Sequence, residues 1–264
     1  MTTSLMSEQA RAWSRSAQRY EQLFIDPYRA DAHNPILAVL ARIQQPESKV
    51  AADLGCGTGP LLPLLSHLFQ RVVAIDFAEG MLARARERCQ QCVNVEFREH
   101  ILTELSPFVG QFDVAIAVNS LVMADVRDID QALRQIHLAL KPGGWFLGIV
   151  PAMDAVHYLT MLLLDRALAS GKPMPAARKN VAHLADHTDY DFAFSQCAFE
   201  GLEQHYWQPS EVRYRLRRAG FTGIRLAKVH LAWEQFSRSK ELQKYSPPWD
   251  WCFRARRPID RQET

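Results

Sequence analysis

The chain has 264 residues, with 31 basic and 29 acidic side chains and a formal net charge of +2. A balance this even gives no broad field for steering onto nucleic acid or an anionic membrane. A hydrophobic content of 48% is enough for one α/β domain with an elaboration or for two small domains.

The start, "MTTSLMSEQARAW", has neither the apolar core nor the basic lead-in of a signal peptide. The richest apolar stretch, "AVHYLTMLLLDRAL", is too short to span a bilayer and carries Asp165 and Arg166. A soluble, cytoplasmic protein is expected. Residues 7–45 read as helical, with a break at Asp26 and Pro27 and a new helix opening at Asn34 and Pro35. Strands and helices then alternate: strand 49–54, helix 60–68, strand 71–76, helix 79–89, strand 93–98, strand 112–118, helix 128–140, a "KPGG" stop and strand 145–150. That alternation implies a parallel sheet covered by helices on both faces. Over 151–208 the rhythm breaks into a helix at 155–169, a "GKPMP" turn and a stretch rich in His, Asp and aromatic residues. A helix in "QPSEVRYRLRRAGF" follows, with Ser210 as its expected N-cap and Gly220 just past its end, and strands at 224–233 and 250–255 close the fold. The five cysteines set no disulfide framework, and the lone CxxC of Cys89 and Cys92 lacks the second pair of a closed zinc site.

In "VAADLGCGTGPLL", Gly55, Gly57 and Gly59 sit between a strand and a helix start. Bare backbone there lets a ligand approach, and the first N–H groups of a helix can hold an anionic group. A dinucleotide fingerprint would place its third glycine at position 60, which is Pro60. The spacing is GxGxG, with Asp53 ahead of it. Asp76 ends the next strand, about 20 residues on, where an acid can grip ribose hydroxyls. As an acid at a strand's open end, Asp76 is expected to carry little structural duty.

"AADLGCGTG", "VVAIDFAEGML", "FDVAIAVNSLVM" and "ALKPGGWFLGIV" together resemble the ordered motifs of class I S-adenosylmethionine-dependent methyltransferases. "WSRSAQRY", through Trp13, Ala17 and Tyr20, resembles that family's N-terminal element. The resemblance implies a doubly wound, mostly parallel seven-stranded Rossmann-like sheet with an N-terminal helical element and a helical lid insertion after the fifth strand. It divides the chain into a helical cap (1–45), a cofactor-binding core (46–150), a lid (151–208) and the closing helix and strands of the core (209–264).

It also implies roles. Asp53 and the loop Gly55, Cys56, Gly57, Thr58 and Gly59 would face the methionine end of S-adenosylmethionine, with Tyr20 beside them. Asp76 would take the ribose hydroxyls, and Phe77 and Met81 would flank the adenine. Asn119, Ser120 and Leu121 would line the cofactor near its methyl. The family has an acid after the third strand to receive the adenine amino group. Here "EHIL" puts Ile101 there, leaving the backbone of Ile101 and Leu102, with His100 or Glu99, to meet the ring edge.

Methyl transfer from a sulfonium needs alignment above all. A base is required only when the nucleophile carries a proton. The cap and lid are expected to cover the strand ends, with His157 as the candidate base and Tyr158 beside it. His183, Asp186 and His187 resemble a partial metal site, but no HExxH is present and no metal is expected. The expectation is methyl transfer to a small-molecule acceptor at O, N or C, yielding S-adenosylhomocysteine, with no nucleic-acid partner. The alternatives are an RNA or protein methyltransferase, or a non-catalytic subunit that binds the cofactor.

Overall fold

Apolar runs bounded by glycine and proline turns become the strands of one central sheet. The structure, a computed structural model, describes residues 3–18, 27–28, 32–182, 190–199, 202–236 and 239–259. In chain order the elements are α1 (Thr3–Ser16), α2 (Pro35–Leu40), β1 (Val50–Leu54), α3 (Leu62–Leu68), β2 (Arg71–Asp76), α4 (Glu79–Arg88), β3 (Val95–Glu99), β4 (Phe112–Val118), α5 (Val126–Ala139) and β5 (Leu140–Pro151). Then come α6 (Met153–Ala169), α7 (Met174–Ala182), β6 (Tyr190–Asp191), β7 (Gln196–Phe199), β8 (Leu202–His205), α8 (Pro209–Arg218), β9 (Thr222–His230) and β10 (Trp249–Arg256).

The main sheet has seven strands in the order β3-β2-β1-β4-β5-β10-β9. β1 to β5 pair in parallel, and β10 lies antiparallel to both of its neighbours. From β1 the chain builds outward through β2 and β3. It then returns to build the other way from β4. The strand order therefore reverses between β1 and β4, which opens a crevice at their carboxyl ends. Strand alternation feeds two cores: Val73 and Ile75 of β2 join Ile129, Leu133, Phe146 and Phe253 on one face, while Val72 and Ala74 join Leu62, Leu65, Leu82 and Ile149 on the other.

Most boundaries shift by one to three residues, as where the strand expected at 224–233 runs Thr222–His230 and Trp233 opens a 3-10 turn; three differences bear on the path of the chain. α2 ends at Leu40, because Gln45 takes a left-handed conformation (φ +49°) ahead of Pro46 and turns the chain. "KPGG" does not stand outside the sheet. It forms a bulge within β5, where the partner of Phe112 is Leu140 and that of Val114 is Trp145. α8 begins at Pro209 with Gln208 at its N-cap, so Ser210 lies inside the first turn; proline favours the first helical position and sets the start.

Between β5 and α8, β6, β7 and β8 make a small antiparallel sheet. Its strands, of two to four residues, are too short to show a readable alternation. β8 is tied to the segment after β4: His205 N donates to Val122 O at 3.0 Å, Gln204 bridges Met123, and Trp207 Nε1 donates to Leu121 O at 2.8 Å. α6 leaves the carboxyl end of β5 and buries Leu162 against Trp233 and Leu242. All five cysteines are free. Among the described residues no helix is long and apolar enough to cross a membrane.

Candidate functional site

The loop after β1 is pinned from two sides. Gly55 N and Cys56 N both donate to Ile75 O, at 2.7 and 2.9 Å. On the other side Ser120 Oγ donates to Leu54 O at 2.6 Å. Gly55 has φ +71°, and a Cβ there would lie 2.3 Å from Ser120 Cβ, so the close approach of β1 and β4 demands glycine. A Cβ on Gly59 would lie 2.9 Å from Leu62 Cδ1 and 3.0 Å from Ala85 Cβ, which makes that glycine a packing residue against α4. Gly57, at φ +54°, has nothing within 4 Å of a would-be Cβ and leaves its backbone open to the cleft.

Two buried acids, Asp53 and Asp76, flank this loop, and a third, Asp250, lies farther along the sheet. Asp53 of β1 is pushed up to about 7 by burial and by neighbouring Asp76. Asp76 is also raised by burial, against the pull of its hydrogen bonds. It accepts from Gly57 N and Ala78 N, both at 2.9 Å. The expectation of little structural duty is therefore corrected: this carboxylate holds the glycine loop and the start of α4. Asp250, at the start of β10, is pushed up to about 7 by burial while accepting from the Asn119 side chain and Ala152 N. Asn119 has φ +51°, a region that asparagine tolerates, and its Oδ1 is buried without a protein partner.

A cleft of about 1030 Å³ of empty space, part of it open to solvent, lies over the carboxyl ends of the strands. The predicted residues Gly55, Gly57, Asp76, Phe77, Met81, Ile101, Leu102, Asn119 and Ser120 line it. Asp53, Cys56, Thr58, Gly59 and Leu121 lie behind this lining, all as buried residues of the core or loop. Tyr20 falls outside the described residues, as do His183, Asp186 and His187. Among the described residues no cluster of three His, Cys, Asp or Glu could hold a metal. His157 and Tyr158 do not line the cleft. The exposed His157 ring stacks on Phe192 at 4.2 Å, and Tyr158 donates its hydroxyl to Ser246 O at 3.0 Å.

Sequence reasoning missed Gln9, Thr103, Val118, Val122, Met123, Glu203 and Gln204, which complete the lining with Trp13 and His100. Gln9 and Trp13 arrive on α1, docked where Gly80 N donates to Ser14 Oγ at 3.2 Å. A Cβ on Gly80 would lie 2.8 Å from the Ser14 backbone, so a glycine in α4 was the available signal for this docking. Glu203 and Gln204 arrive on β8, for which no local signal existed. Where the family has its acid, the N–H of Ile101 donates to His100 Nδ1 at 2.9 Å, and His100 Nε2 lies 3.4 Å from Glu104 Oε2.

A family model described as a methyltransferase domain matches residues 51–144, the stretch from β1 into β5. Residues 51–144 are a class I methyltransferase domain. Proteins of this family use S-adenosylmethionine. The chain is similar to trans-aconitate 2-methyltransferase of Variovorax paradoxus, 34% identical over 119 residues, 44% of each chain. It is also similar to 2-phytyl-1,4-naphtoquinone methyltransferase of Thermosynechococcus vestitus, 36% identical over 105 residues, 39% of this chain and 46% of that one. A human relative 35% identical over 112 residues, 42% of this chain and 31% of its own, is named arginine-hydroxylase NDUFAF5. The match thus spans less than half the length of each of these relatives.

The fold extends further than the sequence similarity. The structure of DhpI with S-adenosylhomocysteine is 19% identical, with a TM-score of 0.60, covering 99% of this chain and 100% of that one. An S-adenosylmethionine-dependent methyltransferase from Mesorhizobium loti is 22% identical, with a TM-score of 0.57, covering 84% and 97%.

Proposed function

We propose that the protein transfers the methyl group of S-adenosylmethionine to a small-molecule acceptor and releases S-adenosylhomocysteine. The observation that carries this reading is the cleft at the strand-order reversal, where the open Gly57 backbone, Asp76 and the Asn119–Ser120 turn meet within a methyltransferase domain. The residues fit the cofactor. A ligand can approach Gly57 where a side chain would otherwise stand, and Thr58 Oγ1 is buried on the loop without a protein partner. Asp76 spends two of its acceptor positions on Gly57 and Ala78. A carboxylate has about four such positions, and the Phe77 N–H also draws on them, which still leaves capacity for a ribose hydroxyl.

When bound, the cofactor supplies an electrophilic methyl on a sulfonium. The chain's own work is alignment and exclusion of water. Phe77 and Met81 supply apolar surface for the adenine. Ile101 N–H is engaged by His100, so the adenine edge meets either a turned His100 ring or the backbone of Leu102 and Thr103. Residues 1–45 and 151–208 are read as the acceptor side. His157 and Tyr158 act as base and partner only if the segment carrying them moves toward the cleft.

Calorimetry tests the reading: S-adenosylhomocysteine binds saturably and NAD does not. Saturable NAD binding with none for S-adenosylhomocysteine overturns it. A protein acceptor, through an arginine side chain, is the second reading, since one relative is named for chemistry on arginine, hydroxylation in its case. It predicts label transfer from methyl-labelled S-adenosylmethionine into protein rather than into small molecules.

A further inference from the structure

The even balance of charge over the whole chain hides one local bias. Residues 166–185 carry four cations, Arg166, Lys172, Arg178 and Lys179, and no acid. The cations sit at the corner where α6 ends and α7 packs back along it. Arg166 pairs with Glu241 at 3.2 Å. Among the described residues, Lys172, Arg178 and Lys179 make no ion pair.

The corner is held by its own backbone. Ser170 N donates to Arg166 O at 3.1 Å, Gly171 N to Leu168 O at 2.9 Å and Lys172 N to Ala167 O at 3.3 Å, and Gly171, at φ +81°, turns the chain. Ala177 N donates to Pro173 O at 2.9 Å in the first turn of α7. Residues 171–176 are all exposed, as are Arg178 and Lys179, while Ala177 and Val181 are buried. α7 therefore has an inner side and an outer one. Met174 is 45% exposed and lies one turn from Arg178, on the same helix face. Pro173 and Pro175 flank it, and Lys172 precedes them.

Two features of this corner stay unanswered in the protein alone. Its cations have no counter-charge, and a large apolar side chain stands in water among them. A soluble anion or an acidic peptide answers the charge and leaves Met174 and the two prolines bare. A bilayer with anionic headgroups answers both, since phosphates meet the cations and the apolar tip enters the boundary between headgroups and acyl chains. No residue of the corner lines the cleft, so this surface is separate from the site of the reaction.

We propose that the α6–α7 corner docks the protein on an anionic lipid surface, with Lys172, Arg178 and Lys179 on headgroup phosphates and Met174 inserted at the acyl boundary. The contact is peripheral and reversible. It is sensitive to salt, because exposed charges are screened.

Sedimentation of the full chain with vesicles tests this. Vesicles of phosphatidylcholine with phosphatidylglycerol are compared with phosphatidylcholine alone, at low and high salt, and soluble poly-glutamate stands in for an acidic chain without a bilayer. At low salt the mixed vesicles bind about tenfold more tightly than the neutral ones, or better, and high salt releases the protein. Lys172→Glu, Arg178→Glu and Lys179→Glu together abolish this binding. Met174→Ser weakens binding to the mixed vesicles, and Met174→Trp strengthens it, because tryptophan favours the membrane interface. Neither Met174 variant alters Tm or the response to poly-glutamate. Equal binding to the two kinds of vesicle, no binding to the mixed ones, or wild-type binding by Met174→Ser overturns the proposal. Tighter binding to poly-glutamate than to the mixed vesicles also overturns it, and gives the corner to an acidic protein partner instead.

Discussion

On the sheet side of the cleft the defining contacts run through the backbone. Two N–H groups of the glycine loop end on Ile75 O, and Asp76 holds two more. On the opposite side α1 and β8 meet the cleft through the side chains Gln9, Trp13, Glu203 and Gln204. A wall made of backbone depends on a few residue types, chiefly glycine and one acid, and tolerates change elsewhere. That is how folds only 19–22% identical keep TM-scores of 0.57–0.60 with this chain. A wall made of side chains depends on each residue chosen, and relatives named for acceptors as unlike as trans-aconitate and a phytyl naphthoquinone resemble this chain over only 44% and 39% of its length.

The largest expected effect compares two buried acids of the main sheet, Asp53 beside the glycine loop and Asp250 on the antiparallel strand β10. Asp53 and Asp250 both stand at about 7 when folded, against an ordinary 3.8, a gap worth roughly 4 kcal/mol at most for each. Both are raised, so from about pH 4 to pH 7 the native state keeps a proton that the unfolded chain has lost. Stability therefore falls as pH rises through that window and levels off above it. In urea titrations at pH 4.5 and 8, Asp53→Asn and Asp250→Asn each remove part of this decline and are more stable than wild type at pH 8. Asp250→Asn keeps S-adenosylhomocysteine affinity, whereas Asp53→Asn changes it. Equal effects of the two on that ligand would mean that nearness to the glycine loop does not matter.

Gly55→Ala combines a left-handed backbone with a Cβ 2.3 Å from Ser120 Cβ, and is expected to cost about 3 kcal/mol in urea unfolding. Gly57→Ala meets no protein atom within 4 Å and costs only the backbone strain, roughly 1–2 kcal/mol, while lowering cofactor affinity. Asp76→Ala should weaken S-adenosylhomocysteine by roughly 1.5–3 kcal/mol by calorimetry. It should also destabilise the fold, because Gly57 and Ala78 N–H lose their partner. The smallest effect on stability belongs to Gly80→Ala, about 1 kcal/mol, the low end for overpacking, since α1 is peripheral and can shift. Its mark is a weaker grip on S-adenosylhomocysteine as Gln9 and Trp13 move away, with faster proteolysis of α1. An unaltered affinity would remove α1 from the ligand's surroundings.

Much of the sheet-side wall could be read from the chain because its signals are local. Gly55, Gly57 and Gly59 are spaced along one loop, Asp76 ends an unbroken apolar strand, and the five parallel strands alternate with helices. The rest of the site, on both sides, depends on meetings between distant segments. Asp250 reaches Asn119 only because β10 lies beside β5, and Gln204 reaches the cleft on a strand of four residues. The misjudged duty of Asp76 has the same origin: its two N–H partners belong to the loop before it and the helix after it, which a reading confined to the strand does not join.

The position of β10 bears on how the chain reaches this state. It is the last strand in sequence, yet it fills the slot between β5 and β9. β9 pairs with no other strand of the main sheet, so it gains a ladder only when β10 arrives. During synthesis the five parallel strands can associate early and leave the 12-residue β5 as a long open edge. Open edges of that length recruit strands from other molecules, and the contacts that close this one span more than 100 residues of chain, the kind that form late. The β9–β10 pair that completes the main sheet is therefore also the cap that protects the half-made sheet from aggregation, and substitutions that weaken β10 should lower the soluble yield before they alter any binding constant.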